Sequence, residues 1–140
     1  MRRICLNLTV MWMLMAAETA APVPWRTLRG LNTRTGEQTP ELKKLQGATV
    51  TVQGYMVPFD DDDEQTTEFL VVPVMGQCVH LPPPPPNQIV LVRMANQKPT
   101  KVFFQDLILV EGKLEIADQK SPFGLVCYRL TANKVEKRGG

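Results

Sequence analysis

Five consecutive prolines, Pro82 to Pro86, divide this 140-residue chain and restrict what can lie on either side of them. Proline fixes its own φ and has no N–H to donate, so the run excludes helix and central strand and forms a stiff polyproline II rod. Directly before the rod stands Cys78-Val79-His80-Leu81, which sets the single histidine two residues from one of the three cysteines. Asn87-Gln88 follows it. A rod flanked by a soft ligand pair and an amide pair is either a structural bridge or a rigid contact surface. As a contact surface it would comprise His80, Pro82, Pro83, Pro84, Pro85, Pro86, Asn87 and Gln88. Stiff backbone loses little entropy on binding, which suits docking, but for the prolines themselves a bridge between two strands across the barrel mouth is the preferred reading.

Around the rod the chain reads as strands. From Ala48 to Val57 the pattern alternates, with Val50, Val52 and Met56 on one face and Thr49, Thr51, Gln53 and Tyr55 on the other. Thr67 to Val74 is nearly continuous apolar, which suits a strand buried on both faces. Gln88 to Met94 is a third strand. Leu107 to Ile116 sets Val110, Leu114 and Ile116 opposite Glu111, Lys113 and Glu115, and Gly124 to Ala132 sets Val126, Tyr128 and Leu130 opposite Cys127, Arg129 and Thr131. Gly54 and Gly112 interrupt two of these strands, as bulges or sharp bends do. Five short strands with glycine kinks predict an all-β domain, a small five-stranded barrel like the oligonucleotide/oligosaccharide-binding (OB) class. One helix is expected, from Thr39 as N-cap through Pro40 at the first position to Gly47 after the last turn. Residues 22–38 read as an N-terminal arm anchored by Trp25 and Leu28, 39–133 as the barrel, and 134–140 as a basic tail.

The first 21 residues read as an export signal: Arg2 and Arg3, an apolar run from Ile4 to Ala17, and small residues ending at Ala21. That run is shorter than the ~20 residues a membrane-spanning helix needs. Cleavage after Ala21 is expected to leave a periplasmic domain with no membrane span. Removing Arg2, Arg3 and Glu18 takes the count from 16 basic and 14 acidic residues to 14 and 13. So balanced a charge gives no general attraction to nucleic acid, and aromatic platforms interleaved with basic residues are lacking.

Cleavage also leaves two cysteines, Cys78 and Cys127. In an oxidising compartment they could form a disulfide; closing about 50 residues would stabilise the domain by about 4 kcal/mol in the chain-entropy picture. The alternatives are free or separately packed thiols, or a zinc or copper(I) site of Cys78, His80 and Cys127, with the Asp60–Glu64 run supplying a fourth ligand. A disulfide would remove the thiolates, so the disulfide and metal readings exclude one another. The acidic run itself lacks the glycine turn of a calcium loop and reads as a solvated hairpin loop. With no C-x-x-C pair, no G-x-S-x-G elbow and no phosphate-cradling glycine loop, no catalytic residue is expected.

Three strings carry a family resemblance: Gly54-Tyr55-Met56-Val57-Pro58, Glu68-Phe69-Leu70-Val71-Val72-Pro73, and Gly76-Gln77-Cys78-Val79-His80-Leu81 running through the prolines to Asn87-Gln88. From about Trp25 to Ala132 the chain resembles the exported bacterial family called domain of unknown function 3299. The resemblance implies a periplasmic or lipid-anchored small domain, often encoded beside transporter components and sometimes in metal-uptake settings. It carries no catalytic residue over to this sequence. The function expected is that of a non-enzymatic accessory or binding module of an envelope transport system, whose partners would be transporter components. The alternative is a periplasmic zinc- or copper-binding protein.

Overall fold

A computed structural model describes residues 20–76 and 82–139 of the chain. Five strands carry the architecture: β2 (Thr49–Pro58), β4 (Glu68–Val72), β5 (Val90–Met94), β7 (Leu107–Ser121) and β8 (Gly124–Lys137). Three two-residue strands accompany them, β1 (Ala21–Pro22), β3 (Gln65–Thr66) and β6 (Thr100–Lys101). The helical elements are short: α1 (Trp25–Leu28), α2 (Pro40–Lys43), and 3₁₀ turns at Pro86–Gln88 and Ala95–Gln97. Among the described residues no helix is long and apolar enough to cross a membrane.

The strands close on themselves because β2 serves two neighbours. Its first half pairs antiparallel with β7, from Thr49 opposite Lys113 to Tyr55 opposite Leu107. Its second half pairs antiparallel with β4, from Tyr55 opposite Val72 to Pro58 opposite Phe69. β4 continues to β5, β5 pairs in parallel with β8, and β8 returns antiparallel to β7. The result is a ring of strands. β1 lies parallel to β2 at Val50 and Thr51, covering the stretch of β2 edge that β4 does not reach.

Both interrupting glycines lie where strands approach most closely. At Gly54, next to the residue where β2 changes partners, a Cβ would sit 2.5 Å from Val71 Cγ1 and 2.7 Å from the Val72 carbonyl oxygen. Gly112 stands at a register shift: Glu111 faces Lys134 but Gly112 faces Ala132, leaving Asn133 as the extra residue. A bulge of this kind bends the strand and sharpens its twist, which ring closure requires.

Inside the ring, Val50, Val52, Met56, Phe69, Val71, Val90, Val92, Ile108, Val110, Leu114, Tyr128 and Leu130 make one cluster, and all are at most 1% exposed. Each such side chain contributes about 1.5–3 kcal/mol relative to an exposed one. Leu28 of α1 and Leu42 of α2 belong to the same cluster, so the two short helices cap it. β4 and β5 are buried on their outer faces too: Leu70, Val72 and Leu91 pack with Val57, Ile89 and Val126 in a second cluster. This explains why Thr67–Val74 reads as continuous apolar sequence.

Several expected boundaries move. Alternation predicts a strand ending at Ile116, but β7 runs to Ser121 and forms a projecting hairpin with β8. Backbone pairing sustains it although Ala117, Asp118 and Lys120 are exposed. β8 also passes Ala132 and ends at Lys137, so Lys134 and Lys137 are strand residues rather than tail. The third strand starts at Val90, not Gln88, because Pro86–Gln88 is a 3₁₀ turn. The expected helix is α2 with its Thr39 cap intact: the Leu42 N–H donates to Thr39 Oγ1 at 3.3 Å. It is shorter than Thr39–Gly47 allows, and Gly47 takes the positive φ of 72° after its last turns. Between β5 and β7 stand only the Ala95–Gln97 turn and β6.

Candidate functional site

Pro82 to Pro85 belong to no helix or strand. Pro85 has φ −62° and ψ 156°, the extended geometry that a following proline enforces. Pro86 leaves the rod as the first residue of the 3₁₀ turn, closed by the Gln88 N–H donating to the Pro85 carbonyl at 2.8 Å. Its preset φ suits a first helical position. Pro82, Pro83 and Pro85 are exposed, whereas Pro84 is buried.

The amide pair after the rod ties it to the N-terminal arm. Gln88 is 6% exposed, and its Nε2 donates to the Trp25 carbonyl (3.2 Å) and the Asn87 carbonyl (2.8 Å). Asn87 Nδ2 donates to the Leu31 carbonyl at 3.1 Å. Arg29 Nε donates to Gln88 Oε1 at 3.3 Å, so a buried amide orients an exposed guanidinium. The arm is held further by Trp25 Nε1 donating to the Gln53 carbonyl (2.7 Å) and by the buried Tyr128 hydroxyl donating to the Leu28 carbonyl. Sequence reasoning expected Asn87 and Gln88 at a binding surface. Their amides are committed to backbone 56 and 63 residues away, and they act as tethers.

Between the rod and the end of β4 lies an open cleft of about 460 Å³. Arg29, Pro73, Val74, Pro84, Pro85 and the amide pair line it. Arg29 was missed by sequence reasoning. Its only signal was its place in the arm, four residues after Trp25. Arg29 Nε is taken by Gln88, and the terminal nitrogens are the part of the guanidinium suited to a planar anion.

Cys78 and His80 lie outside the described residues, so of the disulfide pair and the Cys78, His80, Cys127 metal set only Cys127 is placed. Cys127 is 3% exposed and makes no disulfide among the described residues. Burial, reinforced by the neighbouring Asp118 carboxylate, pushes its thiol up to about 11. The carboxylate beside it is thus Asp118 of the hairpin rather than the Asp60–Glu64 run, whose residues are all exposed. Among the described residues no group of three His, Cys, Asp or Glu side chains is gathered to hold a metal ion.

The raised thiol has a consequence in alkali. In the unfolded chain it titrates near 9.0, in the folded chain near 11. Below the first value both states keep the proton and stability is full; as pH rises towards the second, the unfolded state alone loses it, so stability falls. Tyr128, raised first by burial, acts in the same direction. Under reducing conditions urea midpoints should decline as pH passes 9, by on the order of 1–2 kcal/mol for the thiol's share. Cys127→Ser should remove that share, and an unchanged decline in the variant would refute the assignment.

The sequence of the whole ring and its caps matches one family model. Residues 26–137 fit the family described as protein of unknown function DUF3299. The chain belongs to the DUF3299 family. A solved DUF3299 family protein from Pseudomonas aeruginosa PAO1 is 35% identical, with a TM-score of 0.60 over 70% of this chain. The match spans 66% of that protein, just under two thirds of its length. A putative aspartyl-tRNA synthetase from Leishmania major Friedlin matches 91% of this chain and 22% of its own, at 10% identity and a TM-score of 0.48, too weak a likeness to carry an argument. No curated protein matches the chain.

Proposed function

We propose that this DUF3299 protein is an exported, non-catalytic binding module of the envelope, an OB-like barrel that meets a transporter component through the cleft beside its proline rod. The observation that carries the reading is the joining of a stiff proline wall to an arginine held in place by a buried amide. Such a cleft needs little ordering when a partner segment enters it. A partner segment with an apolar stretch and a carboxylate matches the cleft's prolines, valine and guanidinium. The barrel assignment is supported by the ring order β2-β4-β5-β8-β7-β2 with its parallel β5–β8 pair. The export signal and the transport setting come from the sequence and the resemblance.

Photocrosslinking in living bacteria tests the proposal. A photoreactive residue replaces the exposed Pro85, with exposed Lys113 as the control position. The expected result is a discrete adduct with an envelope transport protein from position 85 only, reduced about tenfold by Arg29→Glu, a loss of roughly 1.4 kcal/mol. Identical adduct patterns from both positions, or protein confined to the cytosol, would overturn it.

A further inference from the structure

We propose that a second cleft, at the far end of β2, docks a basic, aliphatic segment of a partner protein. β2 ends at Pro58, and Phe59 turns its ring towards Phe123 at the tip of the β7–β8 hairpin, with centroids 6.1 Å apart and planes at 43°. Between them opens a cleft of about 600 Å³, floored by Val57, Pro58 and Phe59 and rimmed by Asp60, Asp61 and Asp62. Asp60 Oδ1 accepts from the Asp62 N–H at 3.0 Å, which folds the acidic run into a turn. Three carboxylates, Asp60 to Asp62, thus stand beside an aromatic pair in a chain whose net charge is +2. None of the ion pairs among the described residues involves this run.

Charge and shape together select the occupant. Phe123 is 45% exposed and stands beside the half-buried Phe59, apolar surface that a free inorganic cation would leave uncovered. A lysine or arginine side chain carries an aliphatic stem for the rings and a cationic head for the rim, and the aromatic face adds its own attraction for the cation. A neighbouring aliphatic residue of the same segment covers the exposed Phe123 ring. The cleft shares no residue with the one beside the proline rod, so the two proposals stand separately.

Fluorescence anisotropy of the purified protein with a labelled peptide of alternating lysine and leucine tests this. Peptides of alternating glutamate and leucine, and of alternating lysine and glycine, are the controls. Saturable binding of the lysine–leucine peptide is expected, at least about tenfold tighter than either control. Phe123→Ser should weaken it several-fold, with the salt dependence kept. Combined Asp60→Asn, Asp61→Asn, Asp62→Asn and Asp63→Asn should weaken it and flatten that dependence. Equal binding of the lysine–glycine peptide would reduce the site to charge alone and overturn the proposal. So would unaltered affinity in Phe123→Ser, once circular dichroism shows it folded.

Discussion

Replacing Gly112 with alanine is expected to cost at least about 3 kcal/mol, the largest loss from any single methyl group in this protein. The added Cβ would fall on the Thr131 carbonyl oxygen and lie 2.7 Å from both Thr131 C and Ala132 Cα. All three are backbone atoms of the paired strand, so no rotamer change can relieve the clash, and the β7–β8 ladder itself would have to part. For a domain of this size the loss corresponds to a fall in Tm on the order of 10–20 °C. Thermal unfolding followed by circular dichroism reads it directly, and a variant melting within a few degrees of the parent would contradict the close approach. Gly54→Ala should be milder, because one of its two nearest obstacles is the Val71 side chain, which can rotate.

Leu28→Ala should cost about 2–5 kcal/mol, the range for truncating a fully buried leucine. Leu28 has no exposed surface, and the α1 that carries it is a single turn. A helix so short has no stability of its own and stays only where tertiary contacts hold it. Loss of the side chain should therefore loosen the whole arm, including the Trp25 carbonyl that Gln88 binds and the Leu28 carbonyl that Tyr128 binds. Two readouts separate this from simple core damage. Limited proteolysis should cut the arm first, and the double variant with Gln88→Ala should lose less than the sum of the two singles. Strict additivity would show that the arm and the amide pair act independently.

How much of this was legible in the sequence depended on the range of the interaction involved. Val50, Val52 and Met56 announced the inner face of β2 because strand periodicity is a local property. Thr39 and Pro40 announced α2 for the same reason. The continuous apolar run of β4 signalled burial on two faces, and the second cluster supplies the outer one. Burial of Gln88 left no local trace, since the partners that hold it in place, Arg29 and Trp25, are 59 and 63 residues away in the chain. Nor did the one-turn α1, too short to show a period, or the hairpin beyond Ile116, where polar residues hide a ladder held by backbone alone. The rod was evident from composition, yet that its last proline begins a turn depended on what Gln88 had to reach. The aromatic cleft could not be read at all, because Phe59 and Phe123 are 64 residues apart and only ring closure brings them together.

The parallel β5–β8 pairing also fixes when the molecule can become itself. β5 offers one edge to β4 early, but its other edge waits for the last strand of the chain, and β7 likewise finds β8 only after the hairpin has turned. The β2–β4, β4–β5 and β7–β8 ladders join neighbouring segments, but β2–β7 and β5–β8 join segments far apart in sequence, and such closures are slow because loop entropy is lost before contacts repay it. A chain emerging from a ribosome or threading a membrane pore would therefore carry an open, unsatisfied sheet until Leu130 and Ala132 arrive opposite Val92 and Met94. Completion is a late, nearly all-or-none event.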